Sequence, residues 1–282
     1  MKIQEYIDQM IDLSGNEWLG RKVDRVTDRD RVLWGDPGQE CTGIVSTIYA
    51  SVEVIEKAHE LGCNLIVAHE ALFWNHGDHT DWLKDNTAFQ KKTKLLDEYK
   101  ICVWRNHDHI HAGVRLGDVY RDGIMYGMSK MMGWNEYTLN KEDVMPNKYL
   151  IPEISARDLS KQIIEKFRLN GVRFIGNPDA TIQRVWATSH ILGRGGDNEI
   201  ISVVNDENIN CLLVPEMVDF TVNQYIHDAG QLGEDKCIFA LGHFNFEEIG
   251  MEWYADYIRK YVKPNVSVHF VQAGDYFAYI SK

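Results

Sequence analysis

Three short apolar runs in this chain each end in a cluster of imidazole and carboxylate groups. Asn64-Leu65-Ile66-Val67-Ala68 runs into His69-Glu70, and Ile101-Cys102-Val103-Trp104 leads to His107-Asp108-His109-Ile110-His111. Cys237-Ile238-Phe239-Ala240-Leu241 leads to Gly242-His243-Phe244-Asn245-Phe246-Glu247. Runs this short and apolar read as buried strands. In open α/β sheets, ligands gather beyond the carboxyl ends of such strands. Six of the eleven histidines lie between positions 69 and 111, which argues against coincidence. Nitrogen and oxygen donors of this kind suit zinc, manganese or iron. One metal site accounts for all three strand ends.

The alternation of helix and strand patterns extends along the chain. A helical period runs through Ile3, Tyr6, Ile7, Met10 and Ile11. Residues 41–49 read as a strand, and Ser51 caps a helix that Gly62 ends. A helix over 86–99, a strand over 101–104 and a helix from about 114 towards 131 complete a first α/β lobe of residues 1–140. The polar, aperiodic stretch 135–148 reads as a linker. In the second lobe, residues 141–282, a helix is expected at 155–168. Strands are expected at 172–175, 182–188, 210–214 and 237–241. A helix at about 246–261 and strands at 266–271 and 276–280 close the chain. The fold class is α/β with mostly parallel sheets.

Composition excludes several roles. A net charge of −12 is the wrong sign for a nucleic-acid partner. No run reaches the roughly 20 apolar residues of a membrane helix, and the first residues form an amphipathic helix rather than a signal peptide. Five scattered cysteines without a C-x-x-C pair indicate free thiols in a reducing compartment. The expected location is cytoplasmic, and the expected partner is a small-molecule substrate.

Each cluster also has a plainer reading. His69 is a core histidine and Glu70 a capping residue in that reading, while Glu247 or Glu248 complements a helix dipole. Alternation along 107–111 puts His107, His109 and His111 on one side and Asp108 on the other. His76 and His79 read as members of a solvated loop, and His190 is balanced between a functional and a structural role. Gly193-Arg194-Gly195-Gly196-Asp197 lacks a phosphate-loop ending and reads as a flexible turn.

The segments Gly35-Asp36-Pro37, Thr42-Gly43-Ile44, Val54-Ile55-Glu56-Lys57-Ala58 and Gly62 to Phe73 resemble the NIF-three-like family. This is the dinuclear-metal-centre family often labelled GTP cyclohydrolase type-two homologues. Gly242-His243-Phe244-Asn245-Phe246-Glu247 is similar to its carboxy-terminal Gly-His-Tyr/Phe-x-x-Glu element. The resemblance implies two packed α/β lobes with a metal site in the cleft between them. It also implies two divalent ions and a homohexameric ring. By position it assigns as metal ligands His69, Glu70, His111, His243 and Glu247. Two of these depart from the family pattern, since Glu70 stands for a histidine and His111 for an aspartate. The totals agree at three imidazoles and two carboxylates, so the formal ligand charge is conserved.

The reading that follows is a metal-dependent hydrolase of C–N bonds in a small amide, amidine or heterocycle. His107 or His109 would serve as general acid or as donor to a ligand. A non-catalytic metal-binding or scaffold protein of the same fold is the alternative.

Overall fold

The structure is a computed structural model that describes residues 1–280, so the last two residues of the expected second lobe lie outside it. The chain divides into two compact units. One comprises Met1–Gly127 with Gly250–Ala273, and the other comprises Met128–Ile249 with the segment that begins at Gly274.

The first unit is built on a five-stranded sheet ordered Ser267–Phe270, Gly43–Thr47, Leu65–Ala68, Cys102–Arg105, Val32–Trp34. The first four strands are parallel neighbours, and Val32–Trp34 adds an antiparallel edge. The central strands are buried on both faces, which is why they read as unbroken apolar runs. Helix Val52–Glu60 follows the second of them, with Ser51 Oγ accepting from the Val54 amide at 3.1 Å. Helix Thr87–Glu98 begins the same way from Asn86. On the opposite face, helix Ile3–Asp12 packs Ile3, Tyr6, Ile7 and Met10 into a core shared with Ile44, Trp104, Met251 and Tyr254.

The second unit holds a sheet ordered Arg173–Gly176, Cys237–Ala240, Cys211–Val214, Thr181–Ala187, Lys148–Ser155. Its three middle strands are parallel and its two edges antiparallel. Ile200, Val204, Leu212, Val214, Ile226 and Ile238 belong to its buried core.

Several expectations are corrected. The boundary expected at residue 140 falls inside the second unit, and residues 250–273 return to the first because Ser267–Phe270 pairs with Gly43–Thr47. The helix expected from residue 114 is an antiparallel hairpin, Val114–Leu116 with Val119–Arg121, and the helix starts only at Gly123. Gly117 turns that hairpin at φ +68°, a conformation a helix interior does not contain. The last helix starts earlier than expected, at His243. Residues 276–280 form no strand, since Tyr279 Oη and Asn170 Nδ2 fix them instead of a ladder. Strand Lys148–Ser155 begins inside the stretch read as a linker. Among the described residues, no helix is long and apolar enough to cross a membrane.

Candidate metal centre

Parallel register sets the first unit's cluster. Leu65–Ala68 and Cys102–Arg105 run side by side, so His69 and Asn106-His107 emerge from adjacent strand ends. The Asn106 amide donates to the Ala68 carbonyl at 2.8 Å, which continues the ladder to the site. Residues Asp108–His111 then form one helical turn rather than the expected extended run. With about 3.6 residues per turn, His107 and His111 share one side of that turn and His109 leaves it.

Asp30 causes the turn. Its carboxylate accepts the amides of His107 at 2.7 Å, Asp108 at 3.0 Å and His109 at 2.7 Å, and it meets His109 Nδ1 at 2.6 Å. Asp30 is fully buried. Burial pushes its carboxyl pKa up, but His109 and the backbone donors outweigh that and hold it below the usual aspartate value.

Three rings therefore converge. His69, His107 and His111 each present a ligand atom within 4.8 Å of the others, and all three are buried. Each is oriented through Nδ1. His69 Nδ1 lies 3.1 Å from the Asn106 carbonyl, which can only accept. His107 Nδ1 lies 3.0 Å from Asp108 Oδ1, and His111 Nδ1 lies 2.7 Å from Asp122 Oδ2. An acceptor at Nδ1 fixes the proton there, which is the tautomer in which an imidazole ligates through Nε2. The donor chemistry thus fits a divalent transition metal, and all five cysteines are buried thiols outside the cluster.

Glu70 is also buried and accepts from Arg105 Nη2 at 2.8 Å. Arg105 is fully buried, and its other donors reach the carbonyls of His69 and His76 and the carboxylate of Asp78. The loop read as solvated thus carries a buried aspartate. Neither Arg105 nor Asp30 stood out in the sequence, since each acts through a partner remote along the chain.

Trp18 stacks on His111 with ring centres 5.1 Å apart and meets His107 edge-on. It also lines a surface cleft of about 620 Å³ with Arg21, Lys22, Thr27, Arg29 and Asp108. That size suits a small-molecule ligand.

In the second unit His243 occupies the first position of helix His243–Tyr257, and its Nε2 lies 3.1 Å from Glu247 Oε2 one turn on. His243 Nδ1 meets Glu216 Oε1 at 2.9 Å, and His190 Nδ1 meets Glu216 Oε2. Burial raises the Glu216 pKa, but the two imidazoles dominate and hold it at about 2. The ligands expected from the resemblance thus divide as His69, Glu70 and His111 in the first unit and His243 and Glu247 in the second.

A two-unit α/β protein with imidazole clusters at the ends of parallel strands is the class these observations define. Residues 16–275 match the family described as Duf34/NIF3 (NGG1p interacting factor 3), and the chain belongs to that family. It is 19% identical over 230 residues to a GTP cyclohydrolase 1 type 2 homolog of Clostridium acetobutylicum, covering 79% of this chain and 76% of that one. A homolog of the same name from Buchnera aphidicola is 23% identical over 219 residues, covering 74% and 76%. Among solved structures, the Staphylococcus aureus hypothetical protein SA1388 aligns over 99% of both chains with TM-score 0.68 and 18% identity. A Bacillus cereus protein related to NIF3 aligns over 99% of both with TM-score 0.67 and 13% identity. These structures share the fold.

Proposed function

We propose that this chain is a metal-dependent hydrolase that cleaves a C–N bond in a small amide, amidine or heterocyclic substrate. The observation that carries the reading is the triad His69, His107 and His111, whose ligand atoms lie within 4.8 Å of one another and whose rings are each oriented through Nδ1. The proposed cofactors are two divalent ions, zinc, manganese or iron. The proposed ligand set is His69, Glu70, His111, His243 and Glu247, and His107, which clusters with His69 and His111, is proposed as a further donor. Bound metal would supply Lewis acidity and an activated water.

This chain's own residues do the rest. Asp122 and Asp108 orient two of the imidazoles, and Asp30 holds the turn that carries them. Of the two histidines proposed for acid–base work, His107 lies in the cluster and His109 is turned onto Asp30. Proton transfer therefore falls to His107 whenever its ring is not ligating. Trp18 and the cleft beside it would seat a planar substrate. The names of the curated relatives suggest GTP, but no triphosphate-binding loop is visible in the sequence, so the proposal rests at the bond class. A homohexamer in a reducing cytoplasm belongs to the same reading.

Metal content of chelator-free protein, followed by turnover of a panel of cyclic amides, amidines and GTP, tests it. The expected result is bound metal that falls in the His69→Ala and His107→Ala variants, together with metal-dependent hydrolysis. Metal without turnover on any C–N substrate would leave the scaffold reading. Light scattering reads the assembly.

A further inference from the structure

We propose that the second unit carries its own transition-metal site, formed by His190, Glu216 and His243. This site is not the one expected from the family resemblance, and it stands whether or not the chain is a hydrolase. The three residues follow the carboxyl ends of three adjacent parallel strands, Thr181–Ala187, Cys211–Val214 and Cys237–Ala240. That is the same placement that gathers the imidazoles of the first unit.

The loops are held in position by backbone bonds. The Thr188 amide donates to the Leu213 carbonyl at 3.0 Å, and the Leu241 amide donates to the Val214 carbonyl at 3.1 Å. Ile191 and Glu216–Val218 exchange two further bonds of 2.9 Å each, which fixes His190 beside Glu216. One carboxylate then faces two rings. His190 Nδ1 and His243 Nδ1 approach opposite oxygens of Glu216, and the rings lie nearly parallel with centres 5.2 Å apart. The three ligand atoms fall within 4.8 Å of one another.

A divalent ion would displace the Nδ1 protons shared with Glu216 in the metal-free chain. Two nitrogens and one oxygen from three protein side chains, with further positions open to water, suit zinc or a similar ion. A metal on Nδ1 of His243 fixes that ring's proton on Nε2, which faces the Glu247 carboxylate 3.1 Å away. A carboxylate beside that nitrogen favours this tautomer electrostatically, as carboxylates commonly do for ligating histidines. A neutral imidazole lends one lone pair at a time. Metal here consequently withdraws His243 from the ligand set of the hydrolytic centre, and the two uses compete. His190 and Glu216 remain partly open to solvent, so the site loads without unfolding.

Zinc stoichiometry on the full chain tests the proposal. The His69→Ala/His107→Ala double variant removes donors from the first unit. Reloaded with zinc and desalted, it should retain about one zinc per chain, as a site with three protein donors can. Adding His190→Ala or Glu216→Gln should lower its zinc affinity by about tenfold or more. Far-UV circular dichroism should stay unchanged, since His190 and Glu216 lie in loops. Cobalt(II) in the double variant should give visible absorption that the added His190→Ala abolishes. Zinc retained undiminished after both additions overturns the proposal, and so does a double variant that holds no zinc. Failure of the hydrolase reading would appear separately, as metal-loaded wild-type protein without turnover.

Discussion

Asp122 Oδ2 lies 2.7 Å from His111 Nδ1, while Asp122 Oδ1 accepts the amides of Ile124 and Met125 at 2.9 Å each. One fully buried carboxylate therefore starts a helix and orients a ring of the candidate centre. The hairpin that precedes it delivers Asp122 to that point, so local turn chemistry and site geometry are one feature.

The Asp122→Asn variant separates these duties. An amide oxygen can still cap the helix, but the amide nitrogen presents a donor to Nδ1 and favours the other tautomer of His111. Metal affinity should fall by about 10- to 100-fold, as for loss of comparable anchors of ligating histidines, with little change in melting temperature. Asp122→Ala should lose the cap as well, at a further cost of about 1 kcal/mol. Competition with a chromogenic chelator, alongside thermal melts, reads both effects. Equal metal affinity in wild type and Asp122→Asn would remove the anchoring role.

Arg105 offers a sharper stability test. Its fork joins Glu70 and Asp78, and all three side chains are buried. Arg105→Met removes the counter-ion that two buried carboxylates share, so destabilisation of about 3–5 kcal/mol is expected from breaking such a network. Arg105→Lys should recover only part of this, because a point charge cannot span both carboxylates and the His69 and His76 carbonyls at once. Urea denaturation at neutral pH measures the difference. A loss under about 1 kcal/mol for Arg105→Met would show that water or rearrangement relieves the acids.

Lys92 sets a pH dependence. It is 4% exposed, and its Nζ donates to the Leu72 carbonyl at 2.8 Å. Burial depresses its pKa to about 8, with Asp78 pulling the other way. Between about 8 and the ordinary lysine value the unfolded chain binds a proton that the folded chain does not. Stability contributed by this group therefore rises with pH across that window, by an amount on the order of 3 kcal/mol. The buried thiols act in the opposite sense. Burial lifts Cys41 to about 11 and Cys102 to about 12, so above the ordinary thiol value the unfolded chain loses protons first and stability falls. The comparison with Lys92→Met isolates the lysine, whose rising component should vanish in the variant. Parallel stability curves for the two proteins from pH 7.5 to 10 (a range set by the window above) would contradict the assignment.

The strand ends were legible because buried parallel strands are short apolar runs, and imidazole and carboxylate side chains follow them in the sequence. His69 and His107 stand just beyond two of those ends and cluster there. The turn at 107–111 was not legible. His-Asp-His-Ile-His alternates like a strand, and the group that bends it, Asp30, lies 77 residues upstream of His107. His109 was consequently placed beside His107 and His111, although the helical turn sends it to Asp30. Glu70 was visible as an acid next to a histidine, but its counter-ion was hidden at the end of an apolar strand. Glu216 carried no signal beyond following Cys211–Val214. The return of Gly250–Ala273 to the first unit depends on strand pairing across more than half the chain, which no local pattern encodes.

Gly127 and Gly250 provide the last test, one of packing rather than chemistry. Both lie within helices, Gly123–Met132 and His243–Tyr257, and both belong to the first unit. A Cβ built on Gly250 would sit 2.7 Å from Ile124 Cα and 2.8 Å from its carbonyl oxygen. A Cβ on Gly127 would sit 2.9 Å from Gly250 Cα. The neighbours are backbone atoms, so relief requires the helices to move apart. Alanine in place of a helical glycine would otherwise gain up to about 1 kcal/mol from propensity. Forced overpacking costs about 1–3 kcal/mol, so the clash should win and Gly250→Ala should be destabilising. The adjacent Met251 lies in the same core, and its carbonyl accepts from Ser46 Oγ at 2.7 Å. Displacing this segment should therefore also loosen the sheet that carries His69. Thermal melts and amide exchange at Ser46 and Val67 would read both consequences. A stabilised Gly250→Ala variant would mean that the close approach of the two backbones is not required by the fold.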